Sequence, residues 1–588
     1  MSQPDPSQRA VVGRMEEGRL VDPWNGEESW SLEGESSDGS WLRASVAGGL
    51  AEPEANLAEP GSALAAVYEL AARKAPRSPL HSSAALREAQ AWVKNPAIDD
   101  PSLEDLTGLP LVTIDEEDSK DLDQAVCIEE RQGGFRVWYA IADAAHFVRP
   151  GTALWSEALA RGSTYYLPGL VIPMLPRELS EYLVSLHLQE NRRALMFRVD
   201  LGADGEVSEC RISRARVRSR VKTSYDAVQD FFDGKAKAPG GDPEVSRSLE
   251  LLQRVGELRL ALAEARDILQ IRRQEVRINL GQKPGFGFIA MTDDRIDAER
   301  YNEQISLLCN MEGARFLRRG RGDDRLQAIY RYHQAPDGER LAQLQRQIGA
   351  LTQIQGKDPA QWAWQRGRQS LAAYLRSLPS TGDGSRIAKA IHRQAMLAGG
   401  RSGFDSEPGI HHGVGADVYA RFTAPMREVV GVFVHKESWE RLGLASAGDL
   451  GRDQKLRQAV VAAAERSRQV QREIDRELNR EVLDQMFSRD LDLAREDRPT
   501  HRGTVLGISR SKVHVQLDQP AIDVKIYQHH LEEEPGGENL HAGRDGVTLR
   551  RSRDGEVLWS VGAEVQLRLR GHDTARDRWR LELLPASA

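Results

Sequence analysis

Apolar and polar positions alternate with two different periods along this chain, and the switches between them mark its parts. Residues 18–50 carry short apolar alternations broken by Gly and Trp, a strand pattern. SALAAVYELAARK (62–74) and SAALREAQAWVKN (83–95) repeat apolar residues at helical spacing, each with Ser in N-cap position, and PRSP (76–79) separates them. Residues 107–300 read as strand-rich with inserted helices. LPLVTID ends at Asp115, and LDQAVCIEE and FRVWYAIADAAHFV are expected to be neighbouring strands that turn at Gly133–Gly134. Helices are expected over 246–272 and 300–319, two long surface helices over the Gln/Arg/Leu-rich 338–377, and a charged helix over 453–490. From residue 500 onward GTVLGIS, KVHVQLD, DVKIYQ, VGAEVQLRLRGHD and RWRLELL form five short strands around a Gly-rich loop, the pattern of a small OB-type barrel.

The 588 residues correspond to about four domains at roughly 150 residues each. With 40% hydrophobic and 29% charged residues the chain can bury sizeable cores. Lys and Arg number 80 against 88 Asp and Glu, so a globally basic nucleic-acid binder is excluded while a local basic surface is not. The first 110 residues hold 9 basic against 18 acidic side chains, a net of −9, and residues 500–588 balance 13 against 13. Cys127, Cys210 and Cys309 lie too far apart for a CxxC metal site or a disulfide framework. The polar N-terminus and the lack of a long apolar run predict a cytoplasmic protein in a reducing compartment, with no membrane span.

The sharpest chemistry lies in VTIDEEDSKDLDQAV (112–126). Asp115 ends an apolar strand, and Asp121 and Asp123 follow across a short loop. If LDQAV opens the next strand, Asp121 and Asp123 share one face and Leu122 takes the other. Three converging carboxylates repel unless a cation sits among them, and hard oxygen ligands suit Mg²⁺ or Mn²⁺. A solvated acidic loop is the alternative. A calcium loop is disfavoured, because Lys120 and Val126 stand where an EF-hand needs Gly and Glu. A second feature is RISRARVRSRVK (211–222), where Arg214, Arg216, Arg218, Arg220 and Lys222 occupy alternate positions. On a strand that is one cationic face, suited either to a phosphate backbone or to an edge strand guarded by charge.

Taken in order, six segments resemble the RNase II/RNase R family of 3′→5′ exoribonucleases, whose catalytic domain is called RNB. They are TIDEEDSKDLDQA (113–125), YAIADAAHFV (139–148), STYYLPGLVIPMLPRELSEYLVSL (163–186), SRVKTSYDAV (219–228), NEQISLLCN (302–310) and HHGVGADVYARFTAPMREVVGVFVHK (411–436). The resemblance implies an α+β multidomain fold. A small N-terminal module occupies 1–105, an RNB catalytic domain of mixed sheet and surrounding helices 106–495, and a C-terminal five-stranded OB-fold barrel that binds RNA 496–588. It implies hydrolysis of single-stranded RNA to nucleoside 5′-monophosphates by a monomer with Mg²⁺ (or Mn²⁺) and no obligate protein partner. Asp115, Asp121 and Asp123 match its catalytic and metal-binding carboxylates, and Arg427 the arginine on the scissile phosphate. Tyr166 matches a base-stacking tyrosine, Tyr225 a tyrosine lining the substrate path, and Glu303 a glutamate of the nucleotide pocket. Arg214, Arg216, Arg218 and Arg220 are candidate RNA contacts from the strand pattern.

The chain also departs from that pattern. A fourth Asp usually follows the third; here it is Gln124, whose amide oxygen is an uncharged candidate ligand. Ile271 stands where an aromatic is common, and Glu428 and Gly431 where a basic residue and an Asp are expected. The N-terminal region is too short for two cold-shock barrels, and fits one small β module with a helical pair, a winged helix being one such form. Gln124, Glu428 and Gly431 sustain an alternative, a non-catalytic RNA-binding protein on a decayed RNB domain. A DNA exonuclease is the third reading, since 2′-hydroxyl contacts leave no mark in sequence. His411 and His412 lack acidic residues at ligand spacing and read as structural or RNA-lining.

Overall fold

The computed structural model describes residues 9–26, 28–266, 268, 275–281, 287–293, 295–319, 326–382, 384–444, 450–532 and 539–585. Five strands, β1 (Arg9–Glu16), β2 (Arg19–Asp22), β3 (Glu28–Leu32), β4 (Trp41–Ala47) and β5 (Leu50–Ala58), close a barrel in the order β1–β2–β3–β5–β4. Val11, Met15, Leu20, Leu42, Ala44 and Val46 fill it, as the alternation of the strands requires. Two helices follow, α1 (Ala63–Lys74) and α2 (Ser83–Lys94). Ser62 caps the first by accepting from the Ala65 N–H at 3.1 Å. The second is capped from Ser82 rather than Ser83, through the Ala85 N–H at 3.3 Å. Trp41 of the barrel stacks on Tyr68 of α1 with ring centroids 5.3 Å apart, which joins helix to barrel.

The central region is built on β6 (Glu104–Asp105), β7 (Leu111–Asp115), β8 (Gln124–Arg131) and β9 (Gly134–Ala142), followed by α3 (Ala144–Phe147), α4 (Ala153–Arg161) and the hairpin β10 (Tyr165–Leu167) and β11 (Leu170–Ile172). Then come β12 (Asn191–Gly202), β13 (Val207–Ser224), α5 (Tyr225–Phe232), α6 (Pro243–Ala265), the hairpin β14 (Glu275–Leu280) and β15 (Phe288–Asp293), and α7 (Asp297–Arg319). The sheet order is β12–β9–β8–β7–β13–β6, and β12 also pairs with β13. Apolar runs on β8, β9 and β12 are nearly continuous because helices cover the sheet. The expected turn at Gly133–Gly134 forms, but β8 begins at Gln124, not Leu122, so Asp121 and Asp123 lie in a loop. The helix expected over 246–272 spans 243–265, and Ile271 lies outside the described residues.

After β16 (Tyr330–His333) the two long surface helices expected over 338–377 are replaced by α8 (Gly338–Ile354), α9 (Pro359–Trp362) and α10 (Leu371–Ser377), with α11 (Ser385–Ala398) unanticipated. Asp358 caps a fresh helix at Pro359, a residue that cannot continue the preceding one. Nor do these helices stay on the surface, since Leu344, Ile348, Leu351 and Ile391 are buried against the C-terminal sheet. β17 (Ser402–Asp405) pairs with β16, α12 (Val429–Arg441) is almost wholly buried, and α13 (Leu450–Leu491) runs for 42 residues, about 63 Å. Along α13, Val460 and Ala463 join the central core, Ile474 and Leu478 the core beneath the N-terminal barrel, and Phe487 the C-terminal core. One helix thus packs into three cores. Gly162 makes its approach to α4 possible, because a Cβ there would stand 2.7 Å from the Ala463 carbonyl oxygen.

At the C-terminus β18 (Thr500–Ile508), β19 (Lys512–Leu517), β20 (Asp523–Tyr527), α14 (Gln528–Glu532), β21 (Leu540–Ala542), β22 (Thr548–Arg551), β23 (Val557–Ser560), β24 (Glu564–Asp573) and β25 (Arg578–Pro585) follow. The five expected strands form one sheet, β20–β19–β18–β24–β25, and the intervening segment adds an unforeseen three-stranded sheet, β21–β22–β23. Among the described residues no helix is long and apolar enough to cross a membrane.

Candidate active site

β7 runs parallel to the end of β13, with Asp115 opposite Ser224, so Tyr225 at the start of α5 sits next to Asp115. The chain leaving β7 is fixed by its own polar groups. Asp115 Oδ1 accepts from the Glu116 N–H at 2.8 Å and from the Ser119 hydroxyl at 2.9 Å. Lys222 Nζ, on β13, donates to the carbonyls of Ser119 (2.7 Å) and Glu117 (3.1 Å). The Ser185 hydroxyl donates to the Lys120 carbonyl at 2.7 Å and accepts from the Leu122 N–H at 2.9 Å. Leu122 is anchored in the core, and the residues either side of it, Asp121 and Asp123, come back toward Asp115. A pinned loop, not strand alternation, thus sets where Asp121 and Asp123 lie, with Asp121 close enough to Asp115 to feel its charge.

Arg427 enters from a second segment. Its Nε donates to Asp123 Oδ2 at 2.6 Å, and the Met426 N–H donates to Asp123 Oδ1 at 3.2 Å. That segment is tied down along its length. Asn310 Oδ1 accepts from the Phe422 N–H (2.7 Å) and the Thr423 N–H (3.3 Å), while its Nδ2 donates to the Tyr419 and Thr423 hydroxyls. Arg421 grips Glu428 with Nε (3.1 Å) and Nη2. Glu428 is thus the anion of a local pair, and a Cβ at Gly431 would stand 2.8 Å from Pro425 Cα, which leaves no room for a side chain there. The Thr164 N–H donates to the Arg427 carbonyl at 2.9 Å and brings the β10–β11 hairpin alongside. On that hairpin Tyr165 and Leu167 are buried, whereas Tyr166 is 47% exposed.

Electrostatics follow the crowding. Burial pushes the Asp123 carboxyl up to about 6 against the pull of Arg427, with Asp121 adding repulsion. Asp121 is also raised, first by burial and then by Asp115 and Glu181, against Arg427. The Arg427 guanidinium is held more firmly charged, chiefly by Asp123, with Tyr166, Asp121 and Asp115 contributing. Tyr225 is pushed up to about 12, mainly by burial, with Asp115 adding to it, while the half-exposed Tyr166 lies within the fields of Arg427, Asp121 and Asp123. Asp121, Asp123, Tyr166 and Tyr225 therefore all lie within the field of Arg427.

Other expected site residues are not brought there. The Gln124 amide oxygen faces the hydroxyls of Tyr139 and Ser306 (3.2 Å for the second), which also bond each other at 2.7 Å, and its nitrogen donates to the Thr423 carbonyl, so the amide is engaged within the protein. Glu303 is exposed and pairs with Arg295 at 2.9 Å. The cationic face of β13 alternates as expected, but acidic neighbours cover it. Arg214 is buried near Asp100 and Asp143 and lies over the Trp439 ring at 4.4 Å. Arg216 pairs with Asp105 at 2.5 Å, Arg218 donates to Asn191 at 2.9 Å, and Arg220 pairs with Glu244 (2.7 Å) and Asp242 (3.2 Å). Each of these arginines has partners within the fold, and part of the N-terminal acid excess is their counter-charge. Sequence reasoning missed Lys222 as the clamp of the acidic loop, Ser119 and Ser185, and the polar stripe Asn302, Ser306 and Asn310. Their spacing of four on α7 is the signal that could have revealed the stripe. Asn302 donates to the Tyr225 hydroxyl at 3.2 Å.

A family model described as RNB domain matches residues 103–439. Exoribonuclease 2 of Serratia proteamaculans is 32% identical over 340 residues, 57% of this chain and 50% of the relative. Ribonuclease R of Escherichia coli is 29% identical over 334 residues, 56% of this chain and 39% of the relative. The matches thus span half or less of the length of these curated relatives. Among solved structures, Mycoplasma genitalium RNase R in complex with ribose methylated single-stranded RNA superposes with a TM-score of 0.76 at 18% identity, covering 98% of this chain and 89% of that one. Yeast Ssd1, titled a pseudonuclease, gives 0.58 at 12% identity, covering 94% and 68%.

Proposed function

The chain belongs to the RNB family, and from that premise we propose that it is a hydrolytic 3′→5′ exoribonuclease which shortens single-stranded RNA to nucleoside 5′-monophosphates with a divalent cation. The observation that carries the reading is the gathering of Asp115, Asp121 and Asp123 around Arg427 inside the matched region. A relative called Exoribonuclease 2 and the likeness to RNase R bound to single-stranded RNA support the substrate class.

The donor set is chemically suited to Mg²⁺, with Mn²⁺ next: three hard carboxylates, two of them raised by burial and mutual repulsion. Among the described residues no three His, Cys, Asp or Glu form a ready metal cluster. The three carboxylates do not by themselves close a ligand shell, so waters and substrate phosphates would have to complete it. Asp115, Asp121 and Asp123 are the residues that would hold it, and when bound it would neutralise phosphate charge and activate a water. Arg427 offers a planar fork of donors to the scissile phosphate. The exposed Tyr166 ring would stack on a base, a contact worth about 1–3 kcal/mol and indifferent to sequence. Tyr225 lines the path beside Asp115. The barrel at the N-terminus, the RNB core and the C-terminal sheet would act as three modules (1–105, 106–495, 496–588) of a monomer needing no protein partner.

The test is a 5′-labelled single-stranded RNA incubated with the chain and Mg²⁺. Stepwise shortening from the 3′ end is expected, and none when metal is omitted. Asp123→Asn should bind the RNA and leave it whole. Intact RNA that shifts in a gel with the wild-type chain would instead assign a non-catalytic binder, and full activity in Asp123→Asn would remove Asp123 from the chemistry.

A further inference from the structure

We infer that Gln124 is a positioning residue for Arg427 and not one of the groups that hold the cation. The inference rests on the reading of the site just given. Gln124 is the first residue of β8 and directly follows Asp123. Its amide oxygen forms a triangle with the Tyr139 and Ser306 hydroxyls, which lie 2.7 Å from each other; two protons serve the three contacts, so at least one hydroxyl donates to the amide and the set is closed within the protein. To ligate an ion the amide would have to turn out of this triangle and take its nitrogen off the Thr423 carbonyl, which would lose that donor, a loss the fold resists.

What the amide does is bridge three elements. β8 begins directly after Asp123, α7 carries Ser306, and the third partner, the Thr423 carbonyl, lies four residues before Arg427. Only a side chain with one donor and a doubly accepting oxygen satisfies this set. A carboxylate would turn an acceptor on the Thr423 carbonyl, and a cationic side chain would offer nothing to the two hydroxyls. The neighbours therefore select an amide.

The bridge has a use that the other links lack. Asp123 and the arginine segment are joined directly by the Arg427 and Met426 bonds, and both end on the Asp123 carboxylate. That carboxylate must also serve a cation, so either bond loosens when it changes partners. The bond from Gln124 to Thr423 does not involve it. Asn310, His435 (2.9 Å to the Phe422 carbonyl) and the Arg421–Glu428 pair brace the segment against α7, α12 and itself. Gln124 is the brace that keeps it in register with β8, so the Arg427 fork stays aimed while Asp123 is re-engaged.

Gln124→Met keeps the length of the side chain and removes its donor and acceptor. Mn²⁺ affinity, measured by calorimetry on the full chain without RNA, should be unchanged. So should the affinity for a fluorescent oligoadenylate in EDTA. The kcat for RNA shortening should fall about 10–100-fold at constant KM, and Gln124→Met combined with Arg427→Ala should be no slower than Arg427→Ala alone. A loss of Mn²⁺ affinity of about tenfold or more would make Gln124 a ligand and overturn the inference. An unchanged kcat would overturn it as well, as would effects that multiply in the double variant. If Gln124→Met does not fold by circular dichroism, Gln124→Glu keeps both hydroxyl contacts but has no donor for Thr423, and is read by kcat and the Arg427 combination. A wild-type chain that leaves RNA whole refutes the proposed function, and the Mn²⁺ titration then still decides whether Gln124 is a ligand.

Discussion

At the scale of single residues the site turns on one buried carboxylate with two claims on it. Asp123 is 2% exposed, and Arg427 is bonded to it at 2.6 Å. Arg427 is therefore held by Asp123 through Nε and bonded to Tyr166, and the proposed function gives its other donors to phosphate oxygens. A group aimed before the charge develops needs no reorganisation during reaction. Arg427→Ala is expected to lower kcat by about 10²–10³, or 2.7–4 kcal/mol, as the loss of a preorganised donor does. RNA affinity, read by anisotropy in EDTA, should change far less, because stacking on Tyr166 persists. A variant with weakened binding and normal kcat would move Arg427 from the chemistry to substrate capture. The identity of Asp115, Asp121 and Asp123 as a group was legible in the sequence, because they fall within nine residues of one strand and loop. The fate of Gln124 was not, since its partners stand 15, 182 and 299 residues away.

At the scale of elements β13 shows how a correct pattern acquires the wrong partner. The alternation of Arg214, Arg216, Arg218, Arg220 and Lys222 did predict a strand with one cationic face. What faces it is supplied mainly by chain brought from elsewhere: Asp99, Asp100 and Asp105 before β7, Asp143 after β9, Asp242 and Glu244 at the start of α6. Arg216→Gln together with Arg218→Gln should leave both the RNA affinity and its salt dependence unchanged. A phosphate contact would instead contribute about 0.7 to the slope of log K against log salt on a single strand. Arg214→Met is the contrasting case, because Asp143 is fully buried and would lose one of its two arginines. Because Arg193 stays and the Asp143 carboxyl, raised to about 7, can keep a proton, the loss should be about 1–3 kcal/mol, to be read from urea unfolding. Helices with strong caps and strands with clean alternation were legible in the same way. The break at Asp358–Pro359 was a local signal passed over. The small sheet β21–β23 had none, being three- and four-residue strands in a Gly-rich stretch.

At the scale of the whole molecule, α13 packs into three cores, so loss of packing in one is felt in the others. Stability then depends on buried titrating groups in separate regions. His81, His146 and His411 are lowered to about 3 and His435 to about 4, in each case first by burial. An unfolded imidazole takes a proton near 6.5. Below that pH the unfolded chain binds protons that the folded chain refuses, so the stability these four groups contribute is present above 6.5 and is lost as pH falls. Each accounts for up to about 1.4 kcal/mol per pH unit. Asp143, raised to about 7, and Asp123, raised to about 6, work the other way: folded, they keep a proton that the unfolded chain has shed. His333 and His514 are lowered as well, and Asp121, Glu299, Glu437, Glu440 and Glu481 are raised by smaller amounts, so from pH 6.5 downward the imidazoles lead and the thermal midpoint should fall at constant ionic strength. The balance can be tilted in both directions. The His435 Nε2–H donates to the Phe422 carbonyl, a bond that a glutamine amide can replace without titrating, so His435→Gln should flatten the pH dependence. Asp143→Asn removes an opposing group and should steepen it. Equal slopes in wild type and both variants would mean that acid acts on the surface ion pairs instead of on the buried groups.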